Sequence, residues 1–165
     1  MPRHLSPEQL HEVYSSIGAA VWHFQFLEDV LVTYLTMRLK LKRPITPEKA
    51  QAILAAERRK TLGMLITEAK ASQLVQGDLA EAVAVLLDER NWLIHRSMHE
   101  CNDGLYAGFG FEAFLVRVHT LRERAIELKK RLYSDTEAWR GGQGVDLHRV
   151  EATAAAQVRR MRGDA

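Results

Sequence analysis

The chain has 165 residues, 23 Lys and Arg against 21 Asp and Glu, and a formal net charge of +2. That length suits one domain around one core, and 47% hydrophobic residues with 27% charged ones exclude a disordered chain. A charge this small does not identify a nucleic-acid binder, and a single cysteine, Cys101, excludes an internal disulfide, a zinc finger and a four-cysteine metal site. No apolar run approaches the ~18 residues of a membrane span. The opening residues Met1 to Ser6 lack the apolar core of a signal peptide, so a cytoplasmic protein with no membrane association is expected.

Ser6-Pro7-Glu8 supplies an N-cap, a proline at the first helical position and an early acid. Val13, Ile17, Val21, Phe24, Leu27 or Glu28, Leu31 and Leu35 then recur at steps of three and four, which predicts a long amphipathic helix ending near Lys40. After a connection from Leu41 to Ile45, Thr46-Pro47-Glu48 repeats the start signal. Leu54, Thr61, Leu62, Leu65, Ile66 and Ala69 form the stripe of a second helix, in which Gly63 leaves room for close packing.

Gly77-Asp78 precedes a third helix carried by Leu79, Ala82, Val83, Leu86, Leu93 and Ile94 to about Met98. The stretch from His99 to Gly110, with Asn102-Asp103-Gly104, Gly108 and Gly110, reads as a loop with room for a short extended pair. A fourth helix starts at Phe111 and runs through Phe114, Leu115, Val118, Leu121, Ala125, Leu128 and Leu132. The expected fold is therefore all-α, an antiparallel four-helix bundle over residues 1–140. Residues 141–165 are expected to form an appendage: a glycine hinge at Gly141, Gly142 and Gly144, then an Ala- and Arg-rich helix.

One stretch sets polar residues on a face that should be core: Asp88-Glu89-Arg90-Asn91-Trp92-Leu93-Ile94-His95-Arg96. At 100° per residue, Asn91 and His95 lie one turn apart, Asp88 and His99 extend their stripe, and Arg90 stands about 140° from His95. Arg90 must bend to join them or meet them from another subunit. A purely structural role is the alternative, with Arg90 paired to Asp88 or Glu89 in a buried polar network.

Arg90, the polar Asn91, three further residues and His95, near the end of the third long helix, resemble the defining motif of HEPN domains. The resemblance runs from about Ser6 to Leu132 and includes the aromatic-rich Trp22-His23-Phe24-Gln25-Phe26-Leu27-Glu28. It implies a metal-independent RNA endonuclease acting as a homodimer, without cofactor, with the motifs of two subunits facing one cleft. On that basis His95 is the base or acid, Arg90 the phosphate clamp and Asn91 an orienting partner. The resemblance also implies a nucleotidyltransferase-type antitoxin as hetero-partner. A catalytically inactive interaction module with the same fold is the alternative.

Other constellations point less far. His95, His99, Asp88 and Cys101 have a zinc-like spacing without a second half, and Glu8 with His11 has half of a di-iron motif. His23, Trp22, Trp92 and Trp139 read as packing or interface residues, with Trp92, next to the motif, open also to a base-stacking role. Basic groups cluster at Arg38, Lys40, Lys42 and Arg43, at Arg58-Arg59-Lys60, at Lys129-Lys130-Arg131 and at Arg159, Arg160 and Arg162, which reads as solvated helix faces. Arg59, Lys60 and Arg96 are candidates to line a phosphate approach.

Overall fold

The computed structural model describes residues 5–40, 46–73, 77–107, 109–143 and 147–163, and every regular element among them is helical. Helix α1, Pro7–Leu35, starts where the sequence places it. The Ser6 hydroxyl accepts from the Gln9 N–H at 3.3 Å while the Gln9 side chain accepts from the Ser6 N–H at 2.9 Å, a capping box that uses Gln9 as its second member. Val13, Phe24, Leu27, Leu31 and Leu35 are buried along it, and a π turn over Thr36–Lys40 ends it at the expected place.

The expected second helix is two helices. Helix α2, Pro47–Glu57, begins at the cap Thr46, and helix α3, Leu62–Ala71, begins at Thr61, whose hydroxyl accepts from the Met64 N–H. Thr61 thus belongs to no apolar stripe; as an N-cap it satisfies an N–H that a continuous helix would have bonded to a carbonyl. Gly63 also has a different role from the expected one, because among the described residues only the Thr61 hydroxyl lies within 4 Å of where its Cβ would be. The connection Leu41 to Ile45 lies outside the described residues.

Helix α4, Gly77–Asn91, passes through a second π turn, Trp92–Arg96, directly into helix α5, Ser97–Tyr106. The expected loop from His99 is therefore helical as far as Tyr106, and no strand occurs among the described residues. Burial of Leu105 and packing of Cys101 against the core outweigh the turn propensity of Asn102-Asp103-Gly104. The chain reverses after Ala107, where the N–H groups of Phe109 and Gly110 both donate to the Gly104 carbonyl. A side chain on Gly110 would place its Cβ 3.1 Å from the Gly104 carbonyl carbon, so Gly110→Ala is expected to cost about 1–3 kcal/mol in urea unfolding. Gly18→Ala, with open space around it, is expected to be neutral or stabilising in the same measurement.

Helix α6, Phe111–Gly142, buries Phe114, Leu115, Val118, Leu121, Ala125, Leu128 and Leu132 as the periodicity requires. It runs through Gly141 and Gly142, so these two glycines are the last turn of a helix rather than a hinge; Gly144 lies outside the described residues. Helix α7, Leu147–Arg162, follows, with nearly all its described side chains in solvent.

Packing directions follow from cross-helix pairs. Ser16 meets His119, Tyr34 meets Asp135 and Met37 meets Arg140, so α1 and α6 run parallel. Trp92 meets Phe114, Glu89 meets Arg117 and Asp78 meets Arg131, so α4 runs antiparallel to α6. An up-down-up-down bundle would set its first and last helices antiparallel. The split at Arg58–Lys60 adds one reversal, and α6 consequently rises alongside α1 instead of descending.

At the shared end of α1 and α6, the Tyr34 hydroxyl donates to Asp135 at 2.6 Å, and Arg38 pairs with the same carboxylate at 2.7 Å. Burial first, and then the bond to Asp135, raise the Tyr34 pKa to about 12 despite Arg38. The folded state therefore holds this proton after the unfolded chain has released it. Stability is expected to fall as pH rises from about 10 to 12, and Tyr34→Phe to show a shallower fall in thermal unfolding over that window.

Candidate functional site

Arg90, the penultimate residue of α4, turns toward α1. Its Nη1 donates to the Asn91 side-chain oxygen at 3.2 Å and its Nη2 lies 3.4 Å from Glu28 Oε1, both groups being partly exposed. Its Nε is buried without a hydrogen-bond partner among the described residues. The expected pairing with Asp88 or Glu89 is not made: Asp88 is exposed, and Glu89 holds Arg117 at 3.2 Å. Glu28 was visible in the sequence as an acid beside Leu27 in the first apolar stripe, but only the α1–α4 packing shows that it faces Arg90.

His95 lies in the π turn. It is exposed and makes no hydrogen bond or ion pair with a described side chain, so the structure joins Arg90 and Asn91 directly and leaves His95 apart from both. The π turn changes the register from that of an α-helix. The Ser97 N–H donates to the Trp92 carbonyl five residues back, and each widened step turns the chain by about 80° rather than about 100°. Across these steps the angle between Arg90 and His95 falls below the ~140° that an α-helix imposes.

Trp92 anchors the turn from inside. It is buried, its indole N–H donates to Glu100 at 2.6 Å, its ring packs on Phe114, and the Arg117 guanidinium stacks on it 3.3 Å from the ring centre. Arg117 was not singled out in the sequence. Bound to Glu89 and stacked on Trp92, it clamps α6 to the end of α4. Trp92 is therefore a packing anchor and not an exposed stacking platform.

The proposed phosphate approach divides. Arg59 and Arg96 are exposed and form no ion pair with a described side chain, whereas Lys60 is held by Glu57 and Glu68. Glu28 and Lys60 line one cleft of about 240 Å³ with Gln25, Asp29 and Arg58, but Lys60 is bonded to Glu57 and Glu68 and not to Glu28. Arg38, Lys40, Arg58 and Arg131 likewise sit in ion pairs, in keeping with solvated faces; Lys42 and Arg43 lie outside the described residues.

Among the described residues no three His, Cys, Asp or Glu side chains converge as metal ligands, so Asp88, His95, His99 and Cys101 do not assemble. Burial raises the Cys101 thiol pKa above its usual range. His23 is half-buried with its Nδ1 unpartnered, Trp22 is exposed and packs edge-on to Phe26, and Trp139 is half-buried beside Arg38. No described helix is long and apolar enough to cross a membrane. Compared with known protein families, characterised proteins and solved structures, the chain has no significant match.

Proposed function

We propose that the chain is a HEPN-like, metal-independent RNA endonuclease of toxin or defence type, a homodimer whose two Arg90, Asn91 and His95 sets face one cleft. On this reading α1, the α2–α3 pair, α4 with α5, and α6 are the four bundle members, and 141–165 is an appendage. The observation that carries it is the state of Arg90. Its guanidinium is positioned but not satisfied: Nε has no partner among the described residues and Nη2 reaches Glu28 at 3.4 Å, while His95 of the motif stands exposed with no bond to a described side chain. A half-exposed contact that long is worth little, and a phosphate offering two oxygens to the guanidinium displaces it.

RNA brings its own nucleophile. One His95 takes the proton of the 2′-hydroxyl as that oxygen attacks phosphorus; the partner subunit's His95 protonates the 5′-oxygen as the P–O5′ bond breaks. Arg90 stabilises the charge of the crowded phosphorus, and Asn91 holds Arg90 through its side-chain oxygen. A two-fold axis supplies both members of the acid–base pair from a chain with one such histidine. The hetero-partner that accompanies this reading is a nucleotidyltransferase-type antitoxin, and its location is the cytoplasm.

The second reading is an inactive HEPN-like interaction module in which Glu28, Arg90 and Asn91 tie α1 to α4. Incubation of mixed RNA with purified protein in EDTA separates the two. Cleavage that leaves 2′,3′-cyclic phosphate ends is the expected result, and a folded dimer that leaves the RNA intact overturns the nuclease reading.

A further inference from the structure

The cleft between the second half of α1 and the start of α3 shares a wall with the motif, because the carboxylate that meets Arg90 also lines it. Leu62 and Leu65 of α3, both buried, form its apolar side. Its polar side is built from Gln25 and Glu28, neighbours on one face of α1, with Asp29 and Arg58, which pair with each other at 2.9 Å. At about 240 Å³ it is smaller than the ~300–1,000 Å³ of sites for drug-sized ligands, and it suits a single flat ring system.

Most of its hydrogen-bonding capacity is unused. The Gln25 amide is exposed and bonds to no described residue, and Glu28 has one contact, the 3.4 Å approach of Oε1 to Arg90, which leaves Oε2 without a described partner. Neither cation of the cleft serves Glu28. Arg58 is bound to Asp29, and Lys60 to Glu57 and Glu68. An ionised carboxylate only accepts, whereas an amide can also donate. The cleft therefore suits a planar ligand that turns two adjacent N–H groups to Glu28 and an acceptor to Gln25.

Among the RNA bases guanine has that edge. Its N1–H and 2-amino groups stand side by side and match the two oxygens of one carboxylate, with O6 next to them; adenine, cytosine and uracil each carry hydrogen on a single nitrogen of the same edge. We infer that the α1–α3 cleft is a specificity site for the guanine adjoining the scissile phosphate, with N1–H and the 2-amino group on Glu28 and O6 on the Gln25 amide. This rests on the nuclease reading, and it supplies what that reading leaves Glu28 without. A phosphate seated on Arg90 removes the cation that Glu28 contacts, and the base of the same substrate replaces it with two donors. Arg58, exposed at the cleft, brings a guanidinium plane on which the ring stacks, opposite the apolar side.

The first test uses the wild-type chain. Mapping the ends left on mixed RNA in EDTA is expected to place guanosine beside the cut. In a single-site oligonucleotide, inosine in place of that guanosine, which removes the 2-amino group alone, is expected to lower kcat/KM about 10-fold or more. Glu28→Gln exchanges an acceptor for a donor and is expected to reduce the ratio of cleavage beside guanosine to cleavage beside adenosine by about 10-fold or more. Gln25→Ala reduces the same ratio about 3-fold. Ratios taken within one preparation are independent of how much of it is folded. Equal rates on the guanosine and inosine substrates, or cuts without preference for guanosine, overturn this inference and leave the nuclease reading standing. A folded dimer that leaves every RNA intact overturns the nuclease reading, and this inference with it.

Discussion

Arg90→Ala and His95→Ala are each expected to lower RNA cleavage in EDTA by at least ~100-fold, the usual cost of losing one acid–base or charge-stabilising group. The two differ in everything else. His95 is exposed and unpaired, so its removal leaves thermal stability within about 0.5 kcal/mol of the wild type. Arg90→Ala also releases Glu28 and Asn91, a loss held to about 1 kcal/mol because both Arg90 and Glu28 reach water. Arg90→Lys keeps the charge without the planar fork and is expected to recover little activity. A structural network inverts this pattern: His95→Ala then changes nothing, and Arg90→Ala costs stability alone. Rates on one RNA, with urea melts of the same preparations, decide between them.

The largest effect on stability is expected at Trp92. It is 2% exposed, and Trp92→Ala removes the contacts to Phe114 and Arg117 together with the bond to Glu100. A cavity of that size costs about 3–5 kcal/mol. Trp92→Phe keeps most of the packing and strands Glu100 where it can reach water, for about 1–2 kcal/mol. Because Trp92 opens the π turn that carries His95, the Ala variant is also expected to lose cleavage activity under conditions where it remains folded. A cost below 1 kcal/mol for Trp92→Ala would show that the turn is held by something other than this side chain.

The two positions illustrate how far the sequence reaches. Asn91 and His95 stood out because polar residues interrupted an apolar stripe, a signal that needs only a helical period. That Arg90 is held by Glu28, and not by Asp88 or Glu89, depends on α1 passing beside the end of α4, and no local pattern contains that information. Arg117 escaped notice for the same reason: an arginine on a solvated helix face looks alike whether or not a tryptophan lies beneath it. The π turn was equally hidden, since its sequence, Trp92-Leu93-Ile94-His95-Arg96, suits an ordinary helix.

By itself the sequence determined the starts of α1, α2 and α6, the buried faces of α1 and α6 and the all-helical class. These follow from caps, prolines and a 3.6-residue period, all of which act within a few residues along the chain. Tertiary structure alone decided the break at Thr61, the helical course from Ser97 to Tyr106 and the parallel alignment of α1 with α6. In each, the local preference is small, about 1 kcal/mol or less per residue, and burial of side chains such as Leu62 and Leu105 against partners distant in sequence outweighs it.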